Sequence, residues 1–419
     1  MATAMNAALF VPCSQGVEVY LAHELARITG RTAQAGRGGA WVEGDRLDAM
    51  RINLECRLGQ RVLWPLIDAP YRDEQALYDL ARRVPWTDWI TPEQTLRVDV
   101  SAMRSPLKSL NFAALRIKDA VCDALREATG ARPSVDTRRP TLPLVLFLGA
   151  EQASLYVDTS GEALFKRGWR DAQGGRQAVK GEAPLKETLA AAMLAAADWQ
   201  GREEDGPLLD PCCGAGTIAI EAAQLACGIA PGAQRHFAFE RQMPFQPHLF
   251  AWRRMRDEAR ARVHAPRVPV FAGDVSFRMT DFATRNAERA GVRHAIEFKT
   301  ADALQRLPPA PSGTLMLNPP YGERIAPKGQ GQGQGPGPGG TAAREAFEDG
   351  GDAAAFFSAL AAHWKRHYAG WTAWCLSPES RLPSLMRLKE SRRVPLWNGG
   401  IECRLYRFDM VAGSNKPAG

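Results

Sequence analysis

The sequence predicts an α/β protein in two parts, an α+β module followed by a doubly wound parallel sheet that ends in an antiparallel hairpin. Strand and helix patterns are densely mixed over the first 160 residues, which is typical of a compact α+β module. From residue 184 onward strand and helix patterns alternate, which favours a parallel sheet covered by helices on both faces. Near the end, the stretch RRVPLWNGGIECRLYRFDM has two apolar runs around Asn398-Gly399-Gly400, and this pattern predicts a hairpin.

Length and composition are those of a globular protein with more than one domain. The chain of 419 residues exceeds one ordinary core, and hydrophobic and charged residues make up 45% and 24% of it. No apolar run approaches the roughly 18 residues of a membrane span, and the first residues lack the pattern of a secretory signal. The eight cysteines form no C-x-x-C pair, so we expect neither disulfides nor a metal site, and a reducing cytoplasm fits. The net charge of +7 is a mild indication of a polyanionic partner.

The elements of the first part follow from short apolar runs and from apolar residues at helical spacing. The predicted strands are 8–11, 40–43, 62–67, 95–100, 142–148 and 153–158, and the predicted helices are 16–30 and 112–129. This density of short elements is what assigns the first part to a compact α+β module.

The elements of the second part alternate between strand and helix. The predicted strands are 207–210, 268–274, 295–301, 313–318 and 371–376, and the predicted helices are 217–227, 277–290, 353–368 and one within APLKETLAAAMLAAADW. Residues 329–340, GQGQGQGPGPGG, are of low complexity and predict a flexible surface loop, most simply an insertion without a role.

The stretch PLLDPCCGAGTIAIEAA has the pattern of a strand, a glycine turn and a helix. Gly214 and Gly216 allow a tight turn and the close approach of a ligand, and the helix from Thr217 directs free N–H groups toward the same space. Asp210 ends the strand, at the edge where open α/β sheets bind ligands. The pattern also satisfies the dinucleotide signature G-x-G-x-x-A. The Asp210 carboxylate suits a cationic ligand better, such as the amino acid ammonium of S-adenosylmethionine.

Two further carboxylates follow later strands. Asp274 ends VFAGD, where it can bind both ribose hydroxyls, and Asp302 ends KTAD, where it can accept from an adenine amino group. Each one alone is more often a solvated acid at a strand end, but acids at the ends of three successive strands together favour a nucleoside cofactor. Glu240 is a rival ribose ligand because it lies nearer the roughly 20-residue spacing of dinucleotide folds, although no strand pattern leads into it.

The stretch GTLMLNPPYGER ends an apolar strand in Asn318, Pro319, Pro320 and Tyr321. The prolines cannot donate to a sheet ladder, and a simple strand-terminating turn is one explanation for them. The other is catalytic: the Asn318 side-chain oxygen and the Pro319 carbonyl can orient an exocyclic amine of a base, and Tyr321 can stack on the base. A sulfonium-bound methyl needs no strong base for its transfer, so alignment dominates catalysis, and the target base must be flipped out. The upstream glycine motif favours the catalytic explanation.

Together, DPCCGAGT and NPPYGER resemble motifs of the class I methyltransferases that act on exocyclic amines of nucleic acid bases. Nearly the whole chain resembles the THUMP-domain RNA methyltransferases, and among them the group that methylates guanine N2 in bacterial large-subunit ribosomal RNA. LRIKDAVCDALREATGARPSVD and LYVDTSGEALFKRGWR resemble the THUMP helix and final strand. APLKETLAAAML resembles the opening of the catalytic domain, and WNGGIECRLYRF resembles the terminal hairpin.

The resemblance implies a domain order and a set of site residues. It implies a ferredoxin-like unit at 1–50, a THUMP RNA-binding domain at 51–160, a linker at 161–183 and a Rossmann-like, S-adenosylmethionine-dependent methyltransferase domain at 184–419. The implied catalytic residues are Asn318, Pro319, Pro320 and Tyr321. The implied cofactor-binding residues are Asp210, Pro211, Gly214, Gly216, Thr217, Asp274, Asp302 and Asn318.

This sequence departs from the family pattern at two positions and in one larger feature. Ser276 stands where the family often has a second acid, and Cys212-Cys213 replaces a single cysteine. Some family members also carry a second, fused methyltransferase domain. Because this sequence ends after the hairpin, we expect it to make a single modification.

Basic residues of the THUMP-like part are the predicted RNA contacts. Lysine and arginine bind phosphates and so supply affinity and register. Individually each is more often an ordinary solvated charge, so the prediction rests on the cluster. Its members are Lys108, Arg116, Lys118, Arg132, Arg138 and Arg139.

Four functions remain open from the sequence. An RNA guanine-N2 methyltransferase acting on large-subunit ribosomal RNA accounts for both motifs, the THUMP-like part and the hairpin. A tRNA guanine-N2 or an adenine-N6 methyltransferase shares the N-P-P-Y motif and is not separated by it. A non-catalytic RNA-binding protein would not need intact Asp210 and Asn318, and a nicotinamide oxidoreductase leaves N-P-P-Y unexplained. For the first function we expect RNA as the partner, no membrane, no metal and a monomer.

Overall fold

The computed structural model describes residues 6–170, 185–319 and 350–411, with side chains from residue 353 in the last range. The chain divides into two compact units. The first unit comprises Met1–Asp171 and Ile229–Val263, and the second comprises Ala172–Gly228 and His264–Gly419. Pro320, Tyr321 and the predicted loop 329–340 lie outside the described residues.

The described residues form fifteen strands and ten α-helices. The strands are β1 (Ala7–Pro12), β2 (Ala33–Gly36), β3 (Gly39–Gly44), β4 (Leu63–Pro70), β5 (Thr95–Ala102), β6 (Ser134–Val135), β7 (Leu142–Leu148), β8 (Gln152–Asp158), β9 (Leu208–Asp210), β10 (Val270–Asp274), β11 (Ile296–Thr300), β12 (Gly313–Leu317), β13 (Trp371–Ser377), β14 (Arg392–Asn398) and β15 (Ile401–Asp409). The helices are α1 (Glu18–Thr29), α2 (Arg46–Glu55), α3 (Glu74–Arg82), α4 (Leu110–Thr129), α5 (Glu187–Ala196), α6 (Thr217–Ala226), α7 (Leu249–Ala261), α8 (Phe277–Arg289), α9 (Gly350–His367) and α10 (Leu382–Met386). Within the described ranges, no helix is both long and apolar enough to cross a membrane.

The first unit is organised around an eight-stranded sheet with the strand order β2-β3-β1-β4-β8-β7-β5-β6. β4 and β8 pair antiparallel from Leu63 opposite Asp158 to Pro70 opposite Gln152, so one sheet runs through the whole unit. β5 and β7 are parallel and are joined by a crossover through α4. The buried side chains of α4 include Ala113, Ile117, Val121 and Leu125, which recur at helical spacing, and this stripe is the pattern from which the helix is predicted.

The second unit contains a seven-stranded sheet with the order β11-β10-β9-β12-β13-β15-β14. The strands from β11 to β13 are parallel, whereas β13, β15 and β14 pair antiparallel. The central strands are mainly apolar, as expected for strands with both faces covered. Leu208, Leu209, Leu315 and Leu317 are fully buried. The predicted doubly wound sheet and its terminal hairpin are confirmed, and Gly399 turns the hairpin with a φ of +64°.

Several elements were not predicted, namely β2, β6, α2, α3, α7 and α10. α2 has no simple apolar stripe because it is buried on several sides, through Ala49, Met50, Ile52 and Asn53 among others. The start of α2 is nevertheless marked in the sequence by a capping box. The Asp45 side chain accepts from the N–H of Asp48, and the Asp48 side chain accepts from the N–H of Asp45. The capping residues, and not an apolar stripe, are therefore the sequence feature that indicates α2.

The inserted segment Ile229–Val263, which contains α7, groups with the first unit although its neighbours in sequence belong to the second. The predicted catalytic domain is continuous from 184 to 419. The local sequence pattern of this segment does not indicate that it groups with the first unit. The predicted domain boundaries remain predictions.

Candidate active site

Asp210, Asp274, Asp302 and Asn318 lie at the same edge of the seven-stranded sheet. Asp210 ends β9 and Asp274 ends β10, while Asp302 and Asn318 follow shortly after β11 and β12. These four strands are adjacent and parallel, so their carboxyl ends meet. Because the chain runs outward from β9 to β11 and then returns to β12 on the other side of β9, this edge includes the topological switch point, where open α/β sheets bind their ligands.

The turn between β9 and α6 leaves room for a ligand to approach the backbone. Gly214 and Gly216 have φ values of +51° and +85°, a region that residues with a side chain rarely adopt. A Cβ at Gly216 would lie 3.0 Å from the Cβ of Ala283, so α6 and α8 could not pack as closely as they do. The N–H of Cys213 donates to the carbonyl of Gly273 at 2.7 Å, which fixes the turn against β10.

Asp210 is buried, with 1% of its surface exposed. Burial raises its pKa well above the ordinary value, and the negative charge of Asp274 raises the pKa further. The N–H of Cys212 opposes this effect by donating to Oδ1 of Asp210 at 3.3 Å. None of the groups acting on this carboxylate among the described residues is a cation. A cationic ligand at this position would therefore stabilise the ionised carboxylate.

Asp274 is held by two backbone donors. Its Oδ2 accepts from the N–H of Gly214 at 3.0 Å, and its Oδ1 accepts from the N–H of Ser276 at 2.9 Å. Burial raises its pKa, and these two N–H groups act in the opposite direction. Each carboxylate oxygen keeps a further lone pair, so both oxygens can accept from a pair of neighbouring hydroxyls. The residue at the family's second acid position, Ser276, contributes its backbone N–H to orienting Asp274.

The other predicted cofactor residues surround this edge. Oδ1 of Asp302 accepts from the N–H of Leu304 at 2.9 Å, which leaves its other oxygen for a ligand. Pro211 and Thr217 are buried at the turn. The rival ribose ligand, Glu240, belongs instead to a short 3₁₀ helix of the first unit and accepts there from the N–H of Phe237 at 2.8 Å.

Asn318 follows β12 at the switch point. Its Oδ1 is buried, and no described residue donates a hydrogen bond to it. Leaving such an acceptor unpaired costs about 1–3 kcal/mol. The neighbouring Pro319 is buried. The strand is therefore followed by a buried acceptor that has no donor among the described residues, while the other two residues of the motif, Pro320 and Tyr321, lie outside the described residues.

The thiols beside the glycine turn are not set up as nucleophiles. Burial raises the pKa of Cys212 and of Cys213 well above the ordinary value, and the carboxylates of Asp210 and Asp274 raise both pKa values further. The thiolate, which is the reactive form, is therefore disfavoured. In the described part of the chain, no three His, Cys, Asp or Glu side chains are arranged to hold a metal ion. The groups at this edge are suited to binding and orienting ligands.

The six predicted RNA contacts do not form one patch. Lys108 precedes α4, and Arg132 follows it. Arg116 lies on α4, where it donates to Gln75 at 2.6 Å and its guanidinium lies 4.6 Å from the ring centroid of Tyr78. Lys118 forms an ion pair with Asp119 at 2.6 Å. These four side chains are spread along the helix and its two ends.

Arg138 and Arg139 do lie together, on an exposed loop before β7. Their N–H groups donate to Oδ1 of Asp136 at 2.8 and 3.1 Å, and these two bonds hold the pKa of Asp136 below its ordinary value. The structure adds Arg241 to this pair, because its guanidinium donates to the carbonyls of Arg139 and Pro140. No sequence signal indicated Arg241, which lies about a hundred positions further along the chain.

Three segments of the chain match models of known protein families. Residues 8–63 match the RlmL ferredoxin-like domain, residues 71–158 match the THUMP domain, and residues 174–333 match the RMKL-like methyltransferase domain. The match over residues 174–333 and the parallel sheet with its glycine turn thus indicate a methyltransferase domain with a Rossmann-like fold. The three matches follow one another along the chain in the order ferredoxin-like domain, THUMP domain and methyltransferase domain. The predicted fold class and resemblance are confirmed.

The chain is similar to curated relatives over nearly its whole length. The ribosomal RNA large subunit methyltransferase K/L of Syntrophotalea carbinolica is 34% identical over 411 residues, which are 96% of this chain and 53% of the relative. The chain spans about half the length of the curated relatives it matches.

Two solved structures share nearly the whole fold. SMU.472, described as a methyltransferase and crystallised in complex with SAH, has a TM-score of 0.82 at 23% identity, covering 98% of this chain and 99% of that one. A predicted N6-adenine-specific DNA methylase from Listeria monocytogenes has a TM-score of 0.79 at 26% identity, covering 96% of each chain.

Proposed function

We propose that this chain is an S-adenosylmethionine-dependent methyltransferase that modifies the exocyclic N2 amine of a guanine in large-subunit (23S) ribosomal RNA, in the cytoplasm. The observation that carries the proposal is the buried Oδ1 of Asn318, which has no donor among the described residues and lies after β12, on the same sheet edge as Asp210 and Asp274. A buried acceptor of this kind is stabilised when a donor arrives. The NH₂ group of a base is such a donor.

The chemistry of the sheet edge fits S-adenosylmethionine. The buried Asp210 carboxylate would pair with the cofactor's ammonium group, and Asp274, which keeps acceptor capacity on both oxygens, would accept from the two ribose hydroxyls. The glycine turn allows the cofactor to lie close to the backbone, because Gly214 and Gly216 have no side chain. A dinucleotide fits less well, since its pyrophosphate would approach Asp210, an acid that is 1% exposed and already costly to ionise.

The residues after β12 then orient the base. Bound S-adenosylmethionine supplies a methyl group on a sulfonium, which transfers without a strong base. Oδ1 of Asn318 and the carbonyl of Pro319 would accept from the amine and so orient it for methyl transfer, and stacking on the base is the role proposed for Tyr321. Orientation of two reactants contributes up to about 7–11 kcal/mol. Guanine must leave its helix stack to reach these groups.

Ribosomal RNA is the substrate that the relatives favour. The curated relative at 34% identity is named a large subunit ribosomal RNA methyltransferase, and the chain matches a THUMP domain over residues 71–158. The exposed Arg138 and Arg139 belong to that domain and are suited to phosphate contacts.

The deciding experiment uses large-subunit RNA from cells that lack this protein. The RNA is incubated with the protein and labelled S-adenosylmethionine, digested to nucleosides and analysed by mass and retention time. Labelled N2-methylguanosine supports the proposal, provided that Asn318→Ala gives none. Label that enters transfer RNA and not large-subunit RNA would move the substrate and keep the chemistry. No label in either RNA, with the cofactor bound, would overturn the proposal.

Adenine N6 is the second candidate, for a specific reason. The Listeria monocytogenes neighbour at 26% identity is described as a predicted N6-adenine-specific DNA methylase. Both N6 of adenine and N2 of guanine are exocyclic amines that donate two hydrogen bonds, so the acceptors at Asn318 and Pro319 serve either base. The nucleoside analysis distinguishes them, since N6-methyladenosine and N2-methylguanosine differ in mass.

A further inference from the structure

The inserted segment Ile229–Val263 carries much of the protein's positive charge. Its 35 residues include seven arginines and no lysine, against three acidic residues, so it accounts for four of the chain's seven net positive charges. The segment leaves the methyltransferase sequence and groups with the unit that contains the THUMP domain. This placement brings the charge to the RNA-binding unit.

Four of the seven arginines are engaged by nearby groups, three in ion pairs and one by backbone carbonyls. Arg254 pairs with Glu258 at 3.1 Å, Arg260 pairs with Asp257 at 3.2 Å, and Arg262 pairs with Glu55. Arg235 is buried, donates to two backbone carbonyls, and has its pKa lowered to about 10 by burial. None of these four is free to attract a distant polyanion strongly.

Arg241 is exposed, and among the described residues its hydrogen bonds go to backbone carbonyls, while the carboxylate of Asp136 interacts with its charge without bonding to it. Its Nη1 donates to the carbonyl of Arg139 at 3.4 Å, and its Nη2 donates to the carbonyl of Pro140 at 3.1 Å. Carbonyls orient the guanidinium without cancelling its charge. The contact also places Arg241 beside the loop that carries Arg138 and Arg139, both exposed.

The acid of this loop is already occupied. Oδ1 of Asp136 accepts the N–H groups of Arg138 and Arg139 at 2.8 and 3.1 Å. Asp136 therefore orders the loop through the backbone, and Arg138 and Arg139 are both exposed. Two carboxylates interact with these arginines: Asp136 with Arg138 and Arg241, and Glu162 with Arg139. Glu162 is also paired with Lys166 at 2.8 Å, so the three arginines keep a net positive surface suited to phosphodiesters.

We propose that Arg138, Arg139 and Arg241 form one phosphate-binding surface for the RNA substrate, and that the insertion exists in part to complete it. This three-arginine surface lies entirely within the first unit. The inference rests on the proposed function, because it takes the substrate to be RNA. It goes further by assigning an RNA contact to a segment that lies, in sequence, within the methyltransferase half.

The test measures RNA affinity against salt concentration for the full chain, with deproteinised large-subunit RNA from cells lacking the protein as the probe. Arg138→Ala combined with Arg241→Ala removes one guanidinium from each segment. RNA affinity falls as salt rises, and each lost phosphate contact should make the slope of log K against log salt less steep by about 0.7–0.9. The double variant should therefore reduce the steepness by about 1.4–1.8. In methyl transfer, KM for RNA should rise roughly tenfold while kcat stays within about twofold, since these contacts bind substrate and transition state alike.

The control variant is Arg254→Ala combined with Arg260→Ala, which changes the net charge equally within the same insertion. Because both arginines are ion-paired, we expect the slope to fall by less than about 0.5. Arg241→Gln removes the positive charge and keeps an NH₂ donor on a shorter side chain. A reduced slope for Arg241→Gln supports a phosphate contact, and a wild-type slope would reduce Arg241 to a loop anchor and overturn the inference.

Failure of this inference is distinguishable from failure of the proposed function. Wild-type methyl transfer together with equal slopes for the test and control pairs would overturn the three-arginine surface alone. A slope that falls as expected, in a protein that transfers no methyl to any RNA, would leave the surface standing and remove the proposed reaction. If RNA binding by the wild-type protein did not depend on salt, the three arginines could not be binding phosphates, and the inference would be overturned. An acidic protein would then be the favoured partner of the three-arginine surface.

Discussion

The strand-end acids of the second unit and the basic residues of the first unit were both predicted from sequence, but the two sets differ in how close together their members lie in the folded protein. Asp210, Asp274 and Asn318 are far apart in sequence and meet at one sheet edge. Lys108 and Arg132 are closer in sequence, yet they flank the 20-residue helix α4, which is about 30 Å long. The first set converges and the second is dispersed.

The difference has a topological cause. A residue at the carboxyl end of a parallel strand must lie at the same sheet edge as the carboxyl ends of the neighbouring strands. A motif at a strand end therefore indicates where its residues lie in the fold. An exposed arginine carries no such information, because many positions on a helix or loop are equally compatible with solvent. Sequence proximity is then a poor guide to a surface, and Arg241 joins Arg138 only through the path of the insertion.

The largest expected effect comes from Asn318→Ala. Removing the unpaired acceptor should lower the rate of methyl transfer by at least about 10²–10³-fold, the range for loss of one positioned hydrogen-bonding group. Binding of S-adenosylmethionine should stay nearly intact, because Asp210, Asp274 and the glycine turn are untouched. Single-turnover methylation and calorimetric binding measure the two quantities. Wild-type turnover in this variant would remove the amine-orienting role of Asn318.

Asp210→Asn should weaken cofactor binding by tenfold or more while stabilising the cofactor-free protein at neutral pH. Burial raises the pKa of Asp210, so wild-type folding is relatively favoured below the ordinary aspartate pKa and loses that advantage as pH rises toward the raised value. The variant lacks this dependence, and its thermal stability should exceed that of the wild type by more at pH 8 than at pH 4.

Cofactor affinity supplies a second check on Asp210. An ammonium group binds the ionised carboxylate, so wild-type affinity should fall as pH drops through the raised pKa, while the affinity of Asp210→Asn stays flat. Titration of S-adenosylmethionine from pH 5 to 8 measures this. Parallel curves for the two proteins would mean that Asp210 does not contact the ammonium.

Gly216→Ala should cost more than Gly291→Ala, which is its matched control. Both glycines have positive φ, +85° and +76°, so each alanine pays the left-handed backbone penalty of about 1–2 kcal/mol. Only at Gly216 would the new Cβ also meet Ala283, at 3.0 Å, whereas Gly291 has open space. Thermal unfolding and cofactor titration should therefore show a further loss for Gly216→Ala, and equal losses would indicate that the turn has no packing constraint.

The smallest effect is expected for Arg116→Ala. Its guanidinium is engaged with Gln75 and Tyr78, so the slope of RNA affinity against salt should change by less than about 0.5. Arg138→Ala, on the exposed loop, should change it by about 0.7–0.9. Charge reversal of Arg116, Arg138 and Arg139 together should weaken binding mainly through the last two. A larger effect from Arg116 would extend the RNA surface along α4.

Much of the fold was predictable because its signals are local. β12 is a continuous apolar run that stops at the prolines after Asn318, and α4 shows its buried stripe directly. The hairpin is marked by Gly399 between two apolar runs. α2 and α7 were missed, the first because it is buried on several sides and the second because its charged surface has no continuous apolar stripe.

The sequence by itself determined the glycine turn, the order of the acids and the strand-ending asparagine, because each depends on residue type and spacing within one strand–turn–helix unit. Only the tertiary structure decided that Oδ1 of Asn318 has no donor among the described residues, that Asp210 is almost completely buried, and that Arg241 lies against the carbonyl of Arg139. Those properties depend on what surrounds a side chain. Surroundings are supplied by segments that are distant in sequence, and no local pattern specifies them.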